Sequence, residues 1–321
     1  MGSKAATRPP RLRAGSRVAL LAPAGPLSER DDLTRAMELC RALGYQPIAG
    51  AHSLDRYGYL AGSDEARLAD LNAALRDSAI DAIWCLRGGY GITRILDQVD
   101  MDAFAARPRA LIGFSDVTAL LLGLHTRTGV VTFHGPMSRS PLTGFSRTHF
   151  ERVLGDSAPA GRLGRLPAPA GVLVPRLPRI VTLRDGVAEG PLVGGNLSLL
   201  LALAGTRHFP VLDGGLLFIE DVGEDLYRVD RLLAQLRMLG ALDRIAGVIV
   251  GQFTEMNRGA GDGGALAFDE VLATYLHPLG IPVAYGFPIG HVDDQWTMPI
   301  GVRARLDAGA GEVDVLEGAV V

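Results

Sequence analysis

The sequence predicts an α/β protein, with a doubly wound parallel sheet domain first and a mixed α+β domain after it. Three observations carry this. Short apolar runs alternate with helical patterns through residues 18–133, the order that builds βαβ units. The chain has 321 residues, about two domains at roughly 100–200 residues each. Its composition, 48% hydrophobic and 21% charged, is that of a chain able to bury a full core.

Taken in order, residues 1–10 read as a tail without fixed structure, and residues 11–140 as the parallel-sheet domain. Its strands are expected at 18–22, 46–49, 80–86, 110–114 and 130–133, with helices at 31–43, 64–75, 92–98 and 116–126. The helix at 31–43 has apolar Leu33, Ala36, Met37, Cys40 and Leu43 on one face, Ser28 with Asp31 as a capping box and Gly44 as its stop. The helix after Ser115 is apolar nearly all round, which predicts burial. Residues 141–178 lose periodicity in a stretch rich in Pro, Ala and Gly and read as an interdomain linker. In residues 179–321, strands are expected at 180–183, 216–219, 247–250, 283–285, 302–306 and 313–316. Helices are expected near 197–204, 226–239 and 268–279.

Thirty-two basic residues against 35 acidic ones leave a net charge of −3, which argues against a nucleic-acid partner. Cys40 and Cys85 are the only cysteines; both lie in apolar stretches, so two buried free thiols are expected, not a disulfide framework or a zinc site. The apolar piece 18–22 is too short for a signal-peptide core, and no stretch reaches the roughly 18 apolar residues of a membrane span. A cytoplasmic setting follows as the expectation.

Ligands of doubly wound sheets gather beyond the carboxyl ends of the strands. Four such ends carry unusual residues: Ala22-Pro23-Ala24-Gly25, Arg87-Gly88-Gly89-Tyr90-Gly91, Gly113-Phe114-Ser115-Asp116 and His134-Gly135-Pro136. Ser115 stands at a strand-to-helix turn, where a hydroxyl projects above the sheet and the N–H of Asp116 can stabilise an oxyanion. Val117 occupies the position where a hydrolase elbow has Gly, and Ser115 alone also suits a helix cap. The Gly88-Gly89 loop reads equally as a tight turn or an anion-binding loop. Arg87 suits a substrate carboxylate or a structural ion pair. Further on, an apolar strand ends in Glu220-Asp221, of which one could orient a histidine, or both could be solvated loop acids or caps of the following helix, and His291 sits in a glycine-bounded loop before Asp293 and Asp294. A metal site at His291 is disfavoured, because no second His or Cys lies at ligand spacing.

Together these motifs, with Phe133-His134-Gly135-Pro136-Met137 and Gly194-Gly195-Asn196-Leu197, resemble in order those of the murein LD-carboxypeptidases, over roughly residues 17–302. The resemblance implies a Rossmann-like amino-terminal domain and a smaller β-rich carboxyl-terminal one. It implies a serine peptidase that removes the terminal D-amino acid from a muropeptide, with Ser115 as nucleophile, His291 as general base and Glu220 as the carboxylate orienting it. Oxyanion donors would come from the backbone of Asp116 and of Gly88 and Gly89, with Arg87 a candidate for the terminal carboxylate. It also implies a homodimer, and the proposed chemistry requires no cofactor. Phe114 departs from the Tyr expected before the serine. The alternatives are a microcin-immunity type of carboxypeptidase acting on peptide–nucleotide conjugates, in which Trp296 or Tyr90 would stack on a base, and a non-catalytic peptide binder.

Overall fold

The structure is a computed structural model and describes residues 6–166, 178–256 and 266–321. The first half runs β1 (Arg17–Leu21), α1 (Asp31–Ala42), β2 (Gln46–Ala49), α2 (Asp64–Arg76), β3 (Ala82–Cys85), α3 (Ile92–Ile95), α4 (Met101–Ala106), β4 (Ala110–Gly113), α5 (Val117–Thr128), β5 (Thr132–His134) and α6 (Gly144–Leu154). The second half runs β6 (Gly161–Arg162), β7 (Val181–Arg184), β8 (Val187–Asn196), α7 (Leu197–Ala202), β9 (Leu216–Val222), α8 (Leu226–Met238), β10 (Gly247–Thr254), α9 (Phe268–Leu276), β11 (Val283–Tyr285), β12 (Met298–Ile300), β13 (Arg303–Asp307) and β14 (Glu312–Val315).

The first sheet has the order β12-β5-β4-β3-β1-β2. Its strands β1 to β5 are parallel, and β12 closes the edge antiparallel to β5, with Met298 opposite His134. β3 and β4 are buried at every position, as expected of parallel strands covered on both faces. The second sheet has the order β6-β14-β13-β8-β9-β10-β11-β7; β8 to β11 are parallel and the flanking strands antiparallel. This is the mixed α/β architecture expected. Helix α5 is buried from Val117 to Leu124, as its apolar sequence predicts, and packs against both β5 and β8. Both cysteines are free and buried, and burial pushes their thiols up to about 11 and about 12. Among the described residues no helix is long and apolar enough to cross a membrane.

Several expectations fail in instructive ways. Residues 7–10 of the expected tail are ordered by partners distant in sequence. Thr7 exchanges backbone hydrogen bonds with Gly129 and Val131, Arg8 pairs with Glu317 at 2.9 Å, and the N–H of Val321 donates to Pro9. Residues 1–5 lie outside the described residues. The expected linker contains helix α6, capped by Thr143, whose hydroxyl accepts from Ser146 N–H; residues 167–177 of that stretch lie outside the described residues. Helix α1 is not capped by Ser28. Instead the Asp32 carboxylate reaches back to accept from the N–H groups of Ser28 (3.0 Å) and Glu29 (3.1 Å).

Candidate active site

Because β1, β3, β4 and β5 are parallel, their carboxyl ends share one rim, and the four motifs meet there as the sequence suggests. Gly25 donates to Gly88 O at 2.9 Å, Gly135 to Gly113 O at 3.1 Å and Ser138 to Cys85 O at 3.0 Å. A residue that the sequence gives no sign of holds two of these turns. Arg67 of α2, 1% exposed, donates from Nη1 to the carbonyls of Pro23 (2.6 Å) and Gly91 (3.0 Å). Its charge is matched by Asp64. An arginine inside a helical pattern ordinarily reads as solvated.

Ser115 follows β4 with φ +59°, one of two non-glycine residues with positive φ among those described. That backbone state costs of order 1–3 kcal/mol and marks positions where geometry serves function. The simple cap reading does not hold, since the α5 cap is Asp116 and neither hydroxyl nor carboxylate makes a capping bond there. Gly88 lies directly against Ser115: a Cβ on Gly88 would stand 2.9 Å from Ser115 Oγ and 3.4 Å from the Asp116 nitrogen. Among the described residues no protein acceptor takes the N–H groups of Gly88, Gly89 or Asp116. The Asp116 side chain turns away to accept from Ile92 N–H at 2.9 Å, and burial pushes it up to about 6.

Glu220 is fully buried on β9, and its Oε2 accepts from His291 Nδ1 at 2.8 Å. A carboxylate only accepts, so this bond places the proton on Nδ1 and leaves Nε2 as the ring's basic atom. Two glycines make the space. A Cβ on Gly290 would lie 2.8 Å from Glu220 Cβ, and one on Gly251 would lie 3.2 Å from it. Burial raises the Glu220 carboxyl, opposed by the bond to His291. Asp221 is neither a solvated loop acid nor a cap of the helix that follows: it is buried and accepts from Asn196 Nδ2 and from the N–H and hydroxyl of Ser198 at the start of α7, the helix before its strand. Asp293 and Asp294 are structural as well. The Asp294 carboxylate accepts from Thr143 Oγ1 and the Asp293 carbonyl from Ser146 Oγ, which fastens the His291 loop to α6.

The serine and histidine sides meet through rings, two of them, Phe114 and His134, already on the rim by their motifs, whose packing on one another the sequence does not show. Phe114 packs edge-on against His291 with centroids 4.8 Å apart, His134 lies 5.8 Å from Phe114, and Phe218 lies 5.4 Å from His134. This ladder runs from β9, two residues before Glu220, through β5 and the residue before Ser115 to the imidazole. His134 is completely buried, and burial, then the neighbouring His291, press it down to about 3. It therefore stays neutral. Among the described residues Ser115 Oγ makes no hydrogen bond to His291, an arrangement common before substrate tightens a site. Trp296 is not available for stacking: it is 1% exposed, donates to Gly164 O and packs on Phe287. Tyr90 is exposed and sits edge-on to Tyr59 at 5.6 Å. Arg87 donates from Nη1 to the Pro26 carbonyl and makes no ion pair among the described residues.

Comparison with known proteins identifies the family. The profile of the LD-carboxypeptidase N-terminal domain matches residues 18–135, and that of the LD-carboxypeptidase C-terminal domain matches residues 189–306. The murein tetrapeptide carboxypeptidase of Pseudomonas aeruginosa is 36% identical over 301 residues, covering 91% of this chain and 93% of that one. The crystal structure of muramoyltetrapeptide carboxypeptidase from Oxalobacter formigenes superposes with a TM-score of 0.79 at 31% identity, over 95% of this chain and 99% of that one. The Escherichia coli microcin C7 self-immunity protein MccF is 27% identical over 88% of this chain and 87% of its own. A structure of MccF with aspartyl sulfamoyl adenosine superposes with a TM-score of 0.88 at 25% identity, over 98% of this chain and 100% of that one. The chain belongs to the LD-carboxypeptidase family and is a serine-type carboxypeptidase.

Proposed function

We propose that this protein releases the C-terminal D-alanine from a murein tetrapeptide, with Ser115 as nucleophile, His291 as general base and Glu220 as the carboxylate that orients it. The observation that carries the reading is the buried Glu220–His291 pair packed against Phe114, beside a serine held at φ +59°. Ser115 Oγ attacks the scissile carbonyl carbon while His291 Nε2 takes its proton. The oxyanion that forms accepts hydrogen bonds from the free N–H groups of Asp116 and of the Gly88-Gly89 loop. His291 then protonates the nitrogen of the departing D-alanine as the C–N bond breaks, and water, deprotonated by the same imidazole, cleaves the acyl-enzyme. Glu220 holds the tautomer and stabilises the imidazolium. We place this reaction in the cytoplasm, in cell-wall recycling, and assign the protein a homodimeric state.

The test is incubation of the protein and its Ser115→Ala variant with L-Ala-γ-D-Glu-meso-diaminopimelate-D-Ala, following D-alanine and tripeptide by mass spectrometry. Wild type is expected to release both, and the variant to lose at least about a thousandfold in rate. No release by wild type refutes the assignment. A second reading, cleavage of peptide–nucleotide conjugates, is favoured only by the exposed Tyr59–Tyr90 pair, which offers ring faces to a base. Turnover of an aminoacyl sulfamoyl adenosine in preference to the tetrapeptide would establish it.

A further inference from the structure

An exopeptidase must recognise a free terminus, and the rim carries a charge arrangement suited to one. In the first sheet β4 lies between β3 and β5, so the loops after β3 and β5 rise on either side of Ser115. Strands about 4.8 Å apart put those two flanking strands only about 10 Å from each other. The β5 loop is drawn still closer. Trp84 Nε1 donates to Pro136 O at 2.7 Å, and Ser138 donates to Cys85 O from its N–H at 3.0 Å and its hydroxyl at 3.3 Å. Arg139 therefore starts from a residue pinned to Cys85, two positions before Arg87.

Both arginines are half-buried, and among the described residues neither is within ion-pair distance of a carboxylate. Arg87 donates only to the Pro26 carbonyl, and Arg139 makes no hydrogen bond or ion pair among the described residues. Burial and then repulsion from Arg139 and from the exposed Arg56 hold the Arg87 guanidinium below its ordinary value, against a weaker pull from Asp32. Arg139 also acts on Asp32. That carboxylate is already committed to Arg35 at 2.9 Å and to the N–H groups of Ser28 and Glu29. Half-buried cations with no carboxylate bonded to them are costly, and a planar carboxylate is the ligand whose geometry a guanidinium fork matches.

We infer that Arg87 and Arg139 form a two-armed clamp for the free carboxylate at the C-terminus of the peptide. The inference rests on the peptidase reading above and adds the group that confines it to chain ends. The position suits it. A terminal carboxylate lies one residue, about 3.5 Å of chain, beyond the scissile carbonyl, and Arg87 adjoins Gly88, which lies against Ser115.

The experiment measures binding without turnover. Calorimetry on the Ser115→Ala protein compares the tetrapeptide ending in D-Ala with the same peptide ending in D-alaninamide, then repeats both with Arg139→Met and Arg139→Lys added. The free acid should bind Ser115→Ala at least about tenfold tighter than the amide. Arg139→Met should shrink that preference to about twofold or less, and Arg139→Lys, which keeps charge but not the fork, should leave an intermediate value. Thermal melts identify any variant that fails to fold, in which case the lysine variant alone decides. No preference in Ser115→Ala, or an undiminished one in folded Arg139 variants, overturns the clamp. D-Alanine release by wild type with such an undiminished preference sinks the clamp and leaves the peptidase reading standing. An Arg139-dependent preference without release does the reverse.

Discussion

Replacing Glu220 with Gln changes one charge and almost no volume at a site whose geometry defines the cost. The side chain is fully buried, and its Oε2 lies 2.8 Å from His291 Nδ1. The Gln carbonyl can still accept that bond, so the ring keeps its tautomer and orientation. Under the proposed mechanism, what disappears is the attraction between the carboxylate and the imidazolium that would form as Ser115 gives up its proton. Two unit charges about 4 Å apart at an effective dielectric constant of about 20 interact by about 4 kcal/mol. At 1.36 kcal/mol per decade this corresponds to a roughly thousandfold loss in kcat. Because the charge develops only after binding, KM should stay within about threefold. D-Alanine release at saturating and limiting tetrapeptide separates the two constants. The melting temperature at pH 7 should not fall, because a buried carboxylate that desolvation disfavours is being neutralised. A kcat within about tenfold of wild type, in a variant that melts normally, would refute the electrostatic role of Glu220.

Two further outcomes follow from the same region. The Asp116 carboxyl is held at about 6 by burial, against 3.8 in the unfolded chain, so its contribution to stability is full below pH 3.8 and lost as pH rises through 6. That loss is worth up to about 3 kcal/mol. Asp116→Asn, which keeps an acceptor for Ile92 N–H, should therefore melt higher than wild type at pH 7 and with little difference at pH 4; an equal offset at both pH values would show the carboxyl to be unperturbed. Gly88→Ala places a methyl 2.8 Å from Ser115 Cβ and 2.9 Å from its Oγ, and should cost at least about a hundredfold in kcat/KM, the scale of a lost oxyanion donor. Steady-state kinetics on a variant of unchanged circular dichroism would check this, and near-normal activity would place the reacting carbonyl elsewhere.

Much of the first half is legible because its strands form from local runs. Gln46–Ala49 is found where expected, Ala82–Cys85 lies inside the expected 80–86, and α5 is buried as its sequence demands. The long strand β8 escaped reading because Gly190, Pro191, Gly194 and Gly195 punctuate it. Two of those glycines allow close packing: a Cβ on Gly194 would collide with the Phe218 carbonyl of the neighbouring strand β9, and one on Gly195 with Thr118 of α5. β12 escaped because Met298-Pro299-Ile300 is too short to signal a strand, and proline is tolerated there only because it lies at an edge. At the site, Ser115, Glu220 and His291 stood out through the motifs around them. The ladder of Phe218, His134 and Phe114, the buried Arg67 and the facing Arg139 did not. Each depends on side chains that meet only after distant strands have been placed, and no spacing within one segment encodes such a meeting.

Strand β12 also gives the chain a schedule. The other five strands of its sheet end at His134, about 160 residues before Met298. At roughly 5–20 residues per second on the ribosome, the outer edge of β5 waits for about 8–30 s with its peptide groups uncovered, an invitation to pair with a neighbouring nascent chain. His291 emerges in the same late stretch, just ahead of the strand that seals the edge. Synthesis therefore delivers His291 and the strand that covers the β5 edge together, so that edge is closed to stray pairing only when the last of the candidate site residues has been made.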